Sequence, residues 1–100
     1  MLQHIVFIRL DKSYSQNEKS TILEKLQLML NELPKHIEVI KHLETGLNIS
    51  TRESAFDLSL SVELNNEVDL ESYRVHPKHK DVLSYMSTLQ LETAVVDYIK

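Results

Sequence analysis

The 100-residue chain contains no cysteine, one glycine and two prolines. Without cysteine there is no disulfide and no thiolate metal site, which fits a reducing compartment. There is no basic run either: 11 Lys and Arg stand against 15 Asp and Glu, for a formal charge of −4. That balance argues against a nucleic-acid partner and against an anionic membrane surface. No long apolar segment is present. The N-terminal "MLQHIVFIRLDKS" has an apolar core of a few residues flanked by His4 and Arg9, short of the ~20 that a membrane span needs and without the basic start of a signal peptide. A cytoplasmic location is the expectation. Repeats, linkers and low-complexity stretches are also missing, and 100 residues is an ordinary size for one domain, so 1–100 reads as a single unit.

What is present is an ordinary globular composition, 42% apolar, too hydrophobic for disorder. A chain this short buries roughly 60–65% of the surface that its unfolded form exposes. Burial against a partner would therefore add to its stability.

Residues 2–10 read as a strand apolar on both faces. Leu2, His4, Val6, Ile8 and Leu10 point one way, and Gln3, Ile5, Phe7 and Arg9 the other. In "SQNEKSTILEKLQLMLNELP", Ser15 and Glu18 form a capping-box pattern. Ile22, Leu23, Leu26, Met29, Leu30 and Leu33 follow at helical spacing, and Pro34 ends the helix. A strand is expected over 37–49, distorted at Gly46. "FDLSLSVELN" alternates, with Phe56, Leu58, Leu60, Val62 and Leu64 on its core face. "NEVDLESYRV" makes a short helix with Asn66 as a possible cap. His76-Pro77 interrupts it, "PKHKDVLSYMSTL" starts a second helical piece with Pro77 in its first turn, and "TAVVDYI" closes the chain as a strand.

The order β-α-β-β-α-β implies a ferredoxin-like α+β subunit, a four-stranded antiparallel sheet with helices on one face. The opposite sheet face, carrying Ile5 and Phe7, then needs cover. Pairing of two such faces in a twofold homodimer would supply it, forming a dimeric α/β barrel.

Four protonatable groups gather in this scheme. Tyr73 and His76 share a helix face, His79 lies in the first turn after Pro77, and His4 points from the first strand towards the helices. Histidine titrates near neutrality and serves as general acid or base. A tyrosine hydroxyl can donate to a developing oxyanion. Together they suit proton abstraction beside a carbonyl, followed by elimination, isomerisation or cyclisation. The plainer readings are structural: His76 as a helix-junction residue bonded to backbone, Tyr73 as a half-buried core aromatic with its hydroxyl at the rim, His4 as an inward imidazole satisfied by one partner. His4, His76 and His79 would also make a three-imidazole metal set, but no carboxylate stands convincingly beside them, and no metal is expected. His36 and His42 carry no pattern, and Lys78, Lys80 and Asp81 read as a solvated helix face.

"HIVFIRL", "LETGLNIS", "YRVHPKH" and "VVDY", in this order and spacing, resemble the stress-responsive dimeric A/B barrel (Dabb) family over about residues 2–98. The resemblance implies a dimer whose two sheets enclose a barrel. Through the family's plant polyketide cyclases, it also implies a metal-free and cofactor-free aldol-type cyclisation. By that resemblance His79 is the general base, Tyr73 polarises the substrate carbonyl, and His76 and His4 support the pocket. Ile22, Leu23, Leu26 and Leu58 replace aromatic and histidine pocket residues of those cyclases. A pocket lined by Val6, Ile8, Leu23, Leu26, Leu58 and Leu60, taking a small apolar or carbonyl-containing ligand, is the corresponding expectation. The other possibilities left open are a non-catalytic ligand-binding or structural dimer and, with less support, the haem-degrading or quinone-forming monooxygenase activities of other dimeric α+β barrels.

Overall fold

A computed structural model describes residues 1–100. Four strands and three helices follow the order that side-chain periodicity and capping chemistry imply. β1 (Leu2–Leu10) leads to α1 (Gln16–Glu32), a short 3-10 turn (Leu33–Lys35), β2 (His42–Leu47), β3 (Leu58–Leu64), α2 (Glu67–Val75), α3 (Pro77–Ser87) and β4 (Leu91–Ile99). The sheet order is β2-β3-β1-β4, and every pair is antiparallel. This is the ferredoxin-like arrangement. No helix is long and apolar enough to cross a membrane.

α1 begins where its capping box sits: the Ser15 hydroxyl accepts from the Glu18 N–H at 3.1 Å, and the Glu18 carboxylate accepts from the Ser15 N–H at 2.8 Å. Its stripe buries Leu26, Leu30 and Leu33, with Ile22, Leu23 and Met29 packed beside them. Asn66 caps α2 by accepting from the Asp69 N–H. Leu58, Leu60, Val62 and Leu64 of β3 and Leu2 and Ile8 of β1 complete the core against the helices. The alternation of β3 leaves Ser59, Ser61 and Glu63 on the other face, beside Gln3, Ile5 and Phe7 of β1.

Three expectations change. β2 starts at His42, not at residue 37, because Ile37 turns inward as a core residue, held by its N–H donating to the Leu33 carbonyl. Gly46 makes no bulge: the register runs unbroken through Gly46 opposite Ser59, and its φ is not positive. A Cβ there would lie 3.1 Å from the Ser59 Oγ, so the glycine marks a close cross-strand approach. Phe56 precedes β3 and packs on the open face, its ring 6.1 Å from that of Phe7 and beneath the Arg9 guanidinium.

Candidate active site

The helix interruption builds the site. His76 closes α2 and opens α3: its N–H donates to the Tyr73 carbonyl, and its Nδ1 accepts from the Lys78 N–H at 3.1 Å. Pro77, at the first position of α3, has no N–H that would need a partner. With ψ of 136° at His76, the chain turns sharply between the helices. The turn lays His79, on the first turn of α3, across Tyr73 in the last turn of α2. Their ring centroids are 4.5 Å apart at 46°.

On the other side of Tyr73 stands His4, 5.7 Å away and edge-on at 64°. Pairing of β1 with β4 sets Asp97 directly opposite His4, and the imidazole Nδ1 lies 2.5 Å from the Asp97 Oδ1. Donation from Nδ1–H to the carboxylate leaves Nε2 as the free ring nitrogen. The result is a row, Asp97–His4–Tyr73–His79, running from strand β4 through the interior to α3. His4 is 9% exposed and Tyr73 is 0% exposed, while His79 is half-buried.

Burial acts in opposite directions on the two neighbours Tyr73 and His79. Burial holds the Tyr73 phenol well above its ordinary range, so it remains a donor. Its hydroxyl is nevertheless buried with no hydrogen-bond partner, an arrangement that natural interiors rarely keep without a reason. Burial also lowers the His79 pKa below 6.5, assisted by positive charge on His4 and Arg74, while the bond to the Arg74 carbonyl opposes the shift. His79 Nδ1 lies 3.0 Å from that carbonyl oxygen. Neutral His79, donating through Nδ1–H, therefore keeps Nε2 free to accept a proton. A protonated phenol beside an unprotonated imidazole can together stabilise an enolate oxygen and take the proton that creates it.

Of the residues expected in the site, His4, Tyr73 and His79 come together, and His76 is engaged with backbone at the junction beside them. Asp97 is an addition. A carboxylate in the otherwise apolar "AVVDYI", on the face shared with Val95 and Ile99, was its only trace in the sequence. The six aliphatic residues expected around a pocket pack as core: Ile8, Leu26, Leu58 and Leu60 lie in one buried cluster, with Val6 and Leu23 against it. A cleft of about 380 Å³ between α2 and β4 borders the row at Asp97, with Leu2, Leu70, Arg74 and Tyr98 also in its walls. His4, His76 and His79 do not form a metal set, and no other group of His, Asp or Glu does.

No curated protein matches the chain. Among solved structures, a dimeric ferredoxin-like protein of unknown function from Bacteroides fragilis is 27% identical, with a TM-score of 0.91, over 99% of this chain and 95% of that one. A dimeric ferredoxin-like protein of unknown function from Thermobifida fusca is 19% identical (TM-score 0.82; 99% and 90% covered). The hydroxynitrile lyase of Passiflora edulis is 16% identical (TM-score 0.80; 99% and 92% covered). The last two likenesses are of fold alone. Residues 2–100 match the Stress responsive A/B Barrel Domain, Dabb, and the chain belongs to that family.

Proposed function

We propose that this chain is a single-domain cytoplasmic homodimer, joined through the open sheet face, that carries out cofactor-independent acid–base chemistry on a small carbonyl compound. The observation that carries the chemical part is the buried, unpartnered Tyr73 hydroxyl beside a half-buried His79. In this reading His79 Nε2 takes a proton from the carbon next to a carbonyl, and the Tyr73 O–H donates to the enolate oxygen that forms. The enolate then eliminates, isomerises or closes a ring, and the imidazolium of His79 returns its proton to the product. His4, oriented by Asp97, backs the Tyr73 ring, and His76 fixes the angle between α2 and α3. A hydroxynitrile lyase shares this fold, and the fold therefore admits enzymes.

The dimer part is supported by the exposed Phe7, Val96 and Tyr98 on the open face and by the dimeric state of the Bacteroides fragilis relative. Light scattering on the eluting protein should give twice the 11.7-kDa chain mass; a monomer at micromolar concentration would reject it.

The chemical test uses α-proton exchange in D2O, read by NMR, on a panel of 1,3-diketones and β-keto acids. Wild type should accelerate exchange, and His79→Ala should lose about 10²–10⁴ of that acceleration while remaining dimeric. Equal rates in both proteins would remove His79 as the base. The tight aliphatic packing beneath the site favours a second reading, a ligand-binding or structural dimer without turnover. In that case the same substitution changes stability or ligand affinity, and no member of the panel exchanges faster.

A further inference from the structure

Tyr73 is fully buried, and so is its unpartnered hydroxyl. Two rings close it in, His4 on β1 and His79 on α3. A carbonyl that is to accept from that hydroxyl needs one of its covers to move, and the covers differ in how they are held. β1 is fixed by strand pairing on both sides, and His4 is tied to Asp97 besides. α2 carries Tyr73 itself and packs on β3. α1 packs on β2, where Gln27 donates to the Thr45 hydroxyl at 3.1 Å and that hydroxyl donates to Asn31 at 3.0 Å. α3 has no comparable hold. It packs chiefly on α1 and α2 rather than on a strand. Val82 is its one buried residue, with Tyr85 and Met86 half-buried against the core. Lys78, Lys80 and Asp81 make no ion pair.

Both ends of α3 are joints. At the first, the extended His76 breaks the helical course, and Pro77 brings no N–H to it. The one side-chain hydrogen bond from α3 to α2 is His79 Nδ1–H to the Arg74 carbonyl, at 3.0 Å. At the second, Thr88 and Leu89 lead to an anchored Gln90, whose N–H donates to the Tyr14 hydroxyl and whose carbonyl accepts from the Asp11 N–H. Towards α1 there is one polar contact, Lys25 Nζ at 4.2 Å from the centre of the Tyr85 ring.

We propose that α3 is a lid: it lifts as a unit from α1 and α2, opens the Tyr73 hydroxyl to a carbonyl ligand, and closes with His79 as its latch. The inference rests on the acid–base reading above and adds how its site is reached. Local openings have free energies between zero and that of global unfolding. A helix held by one buried side chain, one hydrogen bond and one cation–π contact belongs near the low end. The latch also has a chemical consequence. Donation from His79 Nδ1–H to the Arg74 carbonyl is what leaves Nε2 as the accepting nitrogen. The base is therefore in its working tautomer when the lid is shut, and closure completes the site around the ligand.

The absence of cysteine makes the test direct. Val82→Cys and Leu30→Cys place single thiols on α3 and α1 at equally buried positions, both 2% exposed in the native chain. Each variant is labelled with a thiol reagent in buffer, and the rate is compared with the limit that its own stability, from urea unfolding, allows. Leu30→Cys should label only through global unfolding. Val82→Cys should label about a hundredfold or more above that limit, with little urea dependence, because lifting α3 exposes little surface. Adding Lys25→Ala to Val82→Cys should speed labelling about two- to fivefold through loss of the contact to Tyr85. Hydrogen exchange of the wild-type α3 amides makes the same comparison without a substituted core residue. Labelling of Val82→Cys at its global-unfolding limit, or wild-type α3 amides as protected as those of α1, overturns the lid and leaves the acid–base reading intact. A lid that opens while no carbonyl compound of the panel exchanges faster overturns the acid–base reading instead.

Discussion

Replacing Tyr73 with phenylalanine should make this protein more stable. Tyr73 is 0% exposed, and its hydroxyl is buried without a partner. A buried polar group left unpaired costs about 1–3 kcal/mol. Phenylalanine removes that penalty and retains the ring that lies 4.5 Å from His79 and 5.7 Å from His4. The void left by one oxygen takes back part of the gain, so the net stabilisation should be about 1–2 kcal/mol. For a domain of this size each kcal/mol moves Tm by about 4–8 °C. Because burial keeps the phenol protonated, the gain should not vary with pH between neutrality and mildly alkaline conditions. Urea unfolding at a fixed protomer concentration, which removes the contribution of dimer mass action, measures it. In the exchange assay the same variant should lose rate, since its enolate has no donor. Higher stability with lower activity is the signature of a group retained for chemistry. A loss of 1 kcal/mol or more in Tyr73→Phe would mean that the hydroxyl has a partner in the folded protein, and the argument for an oxyanion donor would fall with it.

His79 sets a pH dependence. Burial holds its folded-state pKa below 6.5, so in the window between the two values the unfolded chain binds more protons and stability rises with pH. Stability should therefore be full above about pH 6.5, decline as pH falls towards the lowered value, and level off beneath it. His79→Gln should flatten that segment of the urea-midpoint profile, and NMR titration should place the wild-type ring midpoint below 6.5; a midpoint at or above 6.5 contradicts the burial argument. Asp97→Ala leaves the buried His4 Nδ1–H without its acceptor and should cost about 1–2 kcal/mol, while Asp97→Asn, which still offers an oxygen, should recover most of it. Equal losses in the two variants would show that the contact holds no hydrogen bond of consequence.

Elements with strong local signals were legible from the residues alone. β1, α1 with its Ser15–Glu18 box, and the α2–α3 break at His76-Pro77 all stand where spacing and capping chemistry put them. Misreadings came where tertiary packing overrode alternation. Ile37 looked like the start of a strand because it is apolar and β-branched, but the turn after α1 spends it on the core. Phe56 continued the even-numbered alternation of β3, yet the strand starts two residues later and the ring crosses to the open face. The clustering of Tyr73, His76 and His79 was visible around Pro77, but the helix face expected to join Tyr73 to His76 is broken there: His76 bonds backbone, and the turn lays His79 on Tyr73 instead. Asp97 was not, because its meaning depends on which residue of β1 it faces, and register between the first and last strands is a tertiary property.

The backbone has no residue with positive φ and no cis peptide bond. Turns in most folds fix certain positions as glycine or asparagine because other side chains are strained there; this chain has no such anchor points, and its one glycine sits in a strand. Stereochemistry alone thus leaves every position open to replacement, and only packing and the aromatic row restrict the choice. A fold so lightly pinned by its main chain can drift far in sequence while keeping its path, as the Bacteroides fragilis protein does at 27% identity and a TM-score of 0.91. In such a lineage, shape is a poor guide to reaction, and the residues that must be compared between members are the few that line up from β4 to the start of α3.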